Sequence, residues 1–452
     1  MKAHGRLADA QQPLGGPTRI RSVDVPRRPK LDRPRLTVGI AAVAVFALKL
    51  KIATSTYGTE DIETWLGFAH GVARHGPVGV YGVDFRAING TLYNHPPLIG
   101  YYLDFINRLV KLGIPLKVTL RAVSSAADIG SALLVLEILR TRVVLWRATA
   151  SGLAVAGSPV LFLISGYHGN TDPLFVMLVL LGSFLIIDKQ SALSGGAVIA
   201  LALGVKLVPV VVLPVLAVHV IRHRRALAGR AVLGFGTVFA VTWGPALLSH
   251  FTQVWQNVLS YSGIDNRPWG LVHFASDLHW TAVSQLLVGP GKTLVVVACA
   301  LVPAALVWRR AGVTMEAVAL CLVAFLLLSP AFGVQYLAWA VAAAYLLDLW
   351  TATLFNALAG LTLFVIYDSW NHGLPWTLMA RGHVLTLGQL ALLTLVWAAL
   401  ALVLVAGTRS VLAPAGRPGP GQAPVAEGQK KKVAGEAASS RLFGSRAESP
   451  KW

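Results

Sequence analysis

Apolar runs of about 18 residues or more recur along the chain, separated by short polar stretches, from Leu36 to about residue 407. Runs of that length predict helices that cross a membrane rather than amphipathic helices around a soluble core. The expected fold is all-α, a polytopic transmembrane helical bundle of about twelve spans. The first span covers Leu36 to about Thr54. The pattern then changes: from Tyr57 to about His95 the chain is polar and aromatic, with Ile62, Trp65, Leu66, Ala69 and Val72 at helical spacing. That spacing predicts an amphipathic helix lying on the membrane surface within a long first loop.

Residues 97–118 begin Pro-Pro and carry Asp104, Arg108, Lys111 and Lys117. That charge load argues for a re-entrant or interfacial segment in place of a crossing. With this choice, Arg140–Arg147, Asp188-Lys189, Arg222–Arg225, Arg309-Arg310 and the Lys-rich tail all fall on one side. The opposite side receives His168–Asp172, the 249–282 loop, Ser329–Tyr336 and Tyr367–His383. The apolar segment 193–221, broken by Lys206, Pro209 and Pro214, reads as a tight pair of spans with Lys206 near the outer face. Residues 1–34 and 408–452 read as disordered basic tails flanking a membrane domain of residues 35–407.

Composition supports the membrane reading. Of 452 residues 55% are hydrophobic, and the mean hydropathy is +0.64, which excludes a soluble globular protein. The net charge of +19 collects in short loops and tails, the positive-inside pattern, so it reports topology and not a nucleic-acid partner. The expected location is the cell (inner) membrane, multi-pass, with both termini cytoplasmic. The basic N-terminal stretch is too long for a signal-peptide n-region, so the first span is expected to be a retained anchor. Cys299 and Cys321 both lie inside apolar runs and imply neither a disulfide framework nor a metal site.

Charged residues make up only 13% of the chain, yet Glu60, Asp61 and Glu63 fall within four residues after the first span. Acids at a helix start, with Thr59 as N-cap, are one explanation; a carboxylate site is the other. Three further polar stretches occur at the same side. In Asn94-His95-Pro96-Pro97 two prolines hold His95 where the chain returns to the membrane. In Gly166-Tyr-His-Gly-Asn-Thr-Asp-Pro173, His168 and Asp172 sit in a tight turn, where Asn170 or Asp172 is a possible cap for the next helix. In Ser329–Trp339, Gln335 and Tyr336 are hydrogen-bonding groups suited to a sugar or a phosphate. Lys206 is costly inside an apolar segment unless it reaches water or an anion. Arg267, Arg381 and His383 are external cations able to face a phosphate. Asp128, inside a span, reads as a structural polar contact.

Taken in order, Asp61-Ile-Glu-Thr-Trp65, Ala69, Gly76, Tyr81, Tyr93-Asn-His-Pro-Pro-Leu98, His168-Gly-Asn-Thr-Asp172, Gly204-Val-Lys206 to Pro209 and Phe332-Gly-Val-Gln-Tyr336 resemble the GT-C superfamily of integral-membrane glycosyltransferases. The similarity is to a bacterial branch related to GPI mannosyltransferase II and to the glucosyltransferases that extend lipid-linked oligosaccharides. It covers about residues 36–405.

The resemblance implies inverting transfer of a monosaccharide, mannose or another hexose, from a polyprenyl-phosphate-linked donor. The acceptor would be lipid-, glycan- or protein-linked, on the external face. It implies Asp61 as catalytic base, with Glu63 secondary and Glu60 merely solvated. His95, His168, Asp172, Lys206, Arg267, Gln335, Tyr336 and Arg381 are the expected donor and acceptor contacts, with Lys206, His95 and Arg381 toward the phosphate. The sequence departs from some relatives at His168-Gly-Asn-Thr, where a more aromatic version occurs, and this bears on acceptor choice. Most members of that superfamily manage without a metal, so no cofactor is implied; Glu60 and Glu63 leave a divalent cation open. A multispan transporter or lipid flippase is the rival reading, because ionisable residues inside spans also mark transport paths.

Overall fold

The computed structural model describes residues 32–86, 91–261 and 269–413. The first helix, α1, spans Arg33–Ser55. A two-residue strand β1, Gly58–Thr59, leads into α2, Asp61–Gly79, and α3 covers Pro97–Lys111. There follow α4 (Leu116–Leu139), α5 (Leu145–His168), α6 (Asp172–Ile187), α7 (Ala192–Val205), α8 (Val208–His223) and α9 (Arg225–Ser249). Short helices α10 (Gly270–Asp277) and α11 (Thr281–Val288) precede α12 (Gly291–Arg309), α13 (Ala311–Leu328), α14 (Val334–Leu347) and α15 (Leu349–Trp370). The chain then forms β2, Met379–Ala380, and ends in α16, Leu387–Leu412.

Among the described residues, eight of these helices are long and apolar enough to cross a membrane, and four shorter apolar ones, α6, α7, α8 and α14, accompany them. Their apolar side chains form one continuous core. α3 is not among them. It is a 15-residue amphipathic helix that turns Ile99, Gly100, Leu103 and Ile106 inward. Asn107 donates to the Ala69 carbonyl of α2 at 2.8 Å, while Asp104 and Arg108 pair on the outer side. α2 and α3 thus make a helical hairpin, and residues 116–118, expected in the same segment as 97–111, open α4 instead.

α2 buries Ile62, Trp65, Phe68, Ala69 and Val72. Leu66, expected on the same face, is exposed, and Phe68 takes its place. The loop between α2 and α3 is held by aromatic edges: Phe68 meets Phe85 and Tyr93 at centroid distances of 5.0 and 5.1 Å. Thr59 is not the N-cap of α2. The cap position is Glu60, and the Thr59 hydroxyl donates across the molecule to the His168 carbonyl at 3.2 Å.

The bundle has two chemically different ends. At one, basic side chains tie helix ends together: Arg35 to Glu137 at 2.6 Å, Arg140 to Asp32 at 2.9 Å, and Arg142 to Asp188 at 2.7 Å. Arg310 donates to the Val411 and Ala413 carbonyls at the end of α16. At the other end lie the C-termini of α1, α5, α7 and α15 and the N-termini of α4, α6 and α14. There β1 and β2 pair in parallel, Gly58 with Met379 and Thr59 with Ala380.

The break at Lys206 is real: its backbone is extended, ending α7, and α8 begins two residues later. Asp128 makes the structural contact expected of it. Its partner is Lys49 of α1, at 2.6 Å, and both side chains are almost wholly buried. The positive-inside rule assigns the basic end to the cytoplasm, an expectation that labelling tests. A cysteine introduced at residue 115 should therefore react with an impermeant maleimide from outside, and one at 144 only after permeabilisation. Labelling of 144 in intact cells would invert the assignment.

Candidate functional site

Asp61 opens α2, where its charge complements the helix N-terminus. The carboxylate reaches His168 Nε2 at 2.8 Å with its own side chain 36% exposed, so one face stays open to solvent. His168 is buried, and its Nδ1 lies 2.9 Å from the hydroxyl of Tyr367, near the end of α15 and fully buried. The arrangement that satisfies all three groups has Nε2–H donating to Asp61 and the tyrosine hydroxyl donating to Nδ1. A carboxylate, an imidazole and a phenol, from three elements far apart in sequence, form one line.

His168 is delivered by an irregularity in α5. Its last five residues, Ile164–His168, form a π-helical turn closed by Gly169, whose φ is +82°. The wider turn moves His168 off the regular helical path, a use π-turns often have at functional sites. A side chain at Gly169 would be strained by that φ and would strike Ile62 of α2. The neighbouring Asn170 does not cap α6; its Oδ1 accepts from the Asp172 amide at 3.3 Å, and Thr171 holds the cap position.

Asp172 is completely buried and forms an ion pair with Lys206, which is 22% exposed. The Lys206 ammonium also lies over the rings of Tyr336 and Trp339, at 4.7 and 5.1 Å from their centroids. The anion expected for Lys206 is thus supplied, in this state, by a carboxylate of the chain. His95 stacks on Trp65 with centroids 4.4 Å apart, and its carbonyl accepts from Tyr81 at 2.6 Å.

Burial alone pushes the Asp61 carboxyl up. The field and hydrogen bond of His168, with the charge of Lys206, outweigh it and hold Asp61 below the usual carboxylate range. Asp61 is therefore an ionised, hydrogen-bond-accepting group throughout the physiological range. Burial, and then the Lys206 charge, lower His95 to about 3 against the opposing pull of Asp61. His95 is consequently a neutral imidazole and not a cation.

The other sequence-predicted residues divide. Gln335 and Tyr336 are half-buried beside Lys206's neighbourhood, in the turn that opens α14. Glu63 is exposed on α2 with no side-chain partner among the described residues. Glu60, expected to be merely solvated, accepts from the Gly382 amide at 3.2 Å and ties the first loop to the last. Arg381, exposed, follows β2 directly, so the β1–β2 pairing brings its backbone beside Glu60. Arg267 lies outside the described residues. Sequence reasoning missed Tyr367, whose one signal was its place in the polar Tyr367–His383 stretch, where it passes for an interfacial aromatic. Among the described residues no group of three or more His, Cys, Asp or Glu side chains is placed to hold a metal ion.

Compared with known proteins, residues 109–330 match the model of glycosyltransferase family 87. His168, Asp172 and Lys206 lie inside the matched segment; Asp61, His95, Tyr336 and Tyr367 lie outside it. A search of curated proteins finds no match.

The electrostatics of Asp61 can be measured without a substrate. Carbodiimide attacks the protonated carboxyl, so the pH dependence of Asp61 modification, followed by peptide mass spectrometry, reports its pKa. His168→Gln removes a lowering influence and leaves burial, so the modification curve should move to higher pH. An unmoved curve would show that His168 does not set the charge state of Asp61.

Proposed function

We propose that this chain, a membrane glycosyltransferase of the GT-C type, transfers a hexose such as mannose from a polyprenyl-phosphate donor to a lipid-, glycan- or protein-linked acceptor at the external face. The observation that carries this reading is the Asp61–His168–Tyr367 line, which leaves an oriented carboxylate open to solvent at the non-basic end of the bundle.

Inversion at an anomeric carbon requires a base that takes the proton from the acceptor hydroxyl as its oxygen attacks from the face opposite the leaving group. Asp61 fills that role. It is ionised before the acceptor arrives, and His168, fixed by Tyr367, aims it. A carboxylate of low pKa is a weak base, so orientation carries more of the effect than basicity. The bond to the lipid phosphate breaks in the same step, and the departing oxygen gains negative charge. Lys206, whose field already reaches Asp61, is the cation assigned to it. It leaves Asp172 in part as the phosphate binds. Neutral His95 contributes at most a hydrogen bond, and exposed Arg381 adds charge at the rim.

An apolar groove of about 600 Å³ supports a lipid-linked substrate. It runs between α1, α5 and α15, lined by Val45, Leu48, Ile52, Phe162 and Phe364, and ends outward at Thr56 and Trp376. The Trp376 ring lies 4.7 Å from that of Tyr167, which in turn neighbours Tyr367 at 5.3 Å. A prenyl chain in the groove would place its phosphate near the relay. The transporter reading has less support: among the described residues the ion pair buried on both sides, Lys49 with Asp128, is sealed from solvent.

Asp61→Asn should leave the protein inserted but lower sugar transfer from a polyprenyl-phosphate hexose by about 10²–10⁴-fold; near-normal turnover would sink the assignment. Lys206→Met should raise KM for the donor more than for the acceptor. The opposite ranking would remove Lys206 from the phosphate site.

A further inference from the structure

Three polar residues on one face of α4 are consumed by neither the relay nor the phosphate site. Arg121, Ser124 and Asp128 follow one another at spacings of three and four, over about 10 Å of helix. All three are buried among transmembrane helices, where a polar group without a partner is expensive.

Arg121 is 0% exposed and has no carboxylate partner among the described residues. Its guanidinium is spent on the end of α1: Nη1 donates to the carbonyls of Ala53 at 3.1 Å and Thr56 at 3.3 Å, and Nη2 to that of Tyr57. A cation there also meets the negative end of the α1 dipole. The strand β1 leaves this clamp at once, and Asp61 follows. Gly58, with φ +102°, lies so close that any side chain would run into the guanidinium. One turn along α4, the Ser124 hydroxyl donates to the carbonyl of Asn170, midway between His168 and Asp172. Thr59, bonded to the His168 carbonyl, braces the two segments directly. Deeper on the same face, Asp128 pairs with Lys49.

We propose that Arg121 and Ser124 are positioning residues: from adjacent turns of one helix they hold, through backbone carbonyls, the two segments that carry Asp61 and His168, and so set the contact between them. The role of that contact in sugar transfer rests on the reading of Asp61 as base. The positioning itself does not. Arg142, just past the opposite end of α4, pairs with Asp188 at 2.7 Å on the basic side of the bundle, away from both segments, so that pair serves as the comparison.

The experiment compares Arg121→Met, Arg121→Lys and Ser124→Ala with the double variant Arg142→Gln/Asp188→Asn, all in the full-length protein. Thermal stability, kcat and KM for donor, and the pH dependence of Asp61 modification by carbodiimide are measured on each. Arg121→Met and Ser124→Ala should lower kcat about tenfold to a hundredfold with KM changed by less than about threefold. Both should move the Asp61 modification curve to higher pH, as His168→Gln does, and Arg121→Lys should recover part of each effect. Combining Arg121→Met with His168→Gln should add little further shift. The Arg142/Asp188 double variant should leave the curve and kcat in place whatever it does to stability. If Arg121→Met and Ser124→Ala lower stability but keep the wild-type curve, the two residues are structural only and the proposal is overturned. Should Arg121→Met be too unstable to purify, Ser124→Ala and Arg121→Lys carry the same test. Full turnover by Asp61→Asn would defeat the base assignment alone, because the modification curve is read without turnover.

Discussion

A polar group among hydrocarbon-facing helices must find its partner within the chain, and in this protein that constraint decides where the loops go. Arg121 answers it with the last carbonyls of α1, Ser124 with the carbonyl of Asn170, and Asp128 with Lys49. Two of these bonds, from Arg121 and Asp128, join α4 to α1, whose end runs on to Asp61, and the third, from Ser124, joins α4 to the turn that follows His168. The first loop, whose helix α2 buries an apolar face of its own, takes the position of its start from a charge buried in the bundle. β1 then pairs with β2 and closes the first external segment against the last.

That arrangement gives the site its electrostatic character. Asp61 is held as a carboxylate because His168 and Lys206 stand against it, Asp172 pairs with Lys206, and His95 stays neutral because burial and Lys206 oppose its protonation. Opposite charges are paired at rest, so a lipid phosphate would enter a site with its cation already oriented and already compensated. The exposed side of Asp61 is what remains for an acceptor. These features fit displacement at a sugar carbon better than the passage of an ion, for which a wetted path through the bundle would be needed.

Parts of this site are visible in the chain itself. Asp61 stands out because acids are scarce here and cluster after the first span. His168 and Asp172 stand out because a polar turn interrupts two apolar runs, and Lys206 because a charge breaks a third. Tyr367 does not stand out, since a tyrosine at the end of a span is ordinary in a membrane protein. Arg121 and Ser124 are silent for a different reason: their partners are backbone carbonyls, which every residue possesses and no side-chain pattern marks. The rank of the acids also escapes sequence logic, because the role of Glu60 depends on the Gly382 amide, 322 residues away.

By itself the sequence determined the membrane class, the alternation of long apolar helices, the charged and amphipathic character of residues 97–111 and the gathering of titratable groups at one end. Hydrophobic length and charge asymmetry are local properties, summed along the chain, and they suffice for these. Tertiary structure decided which of the gathered groups touch. The Asp61–His168 contact spans 107 residues and the His168–Tyr367 contact 199. Such distances close only when helices have packed, because the π-turn of α5, the clamp on α1 and the strand pair β1–β2 depend on neighbours that no single segment contains.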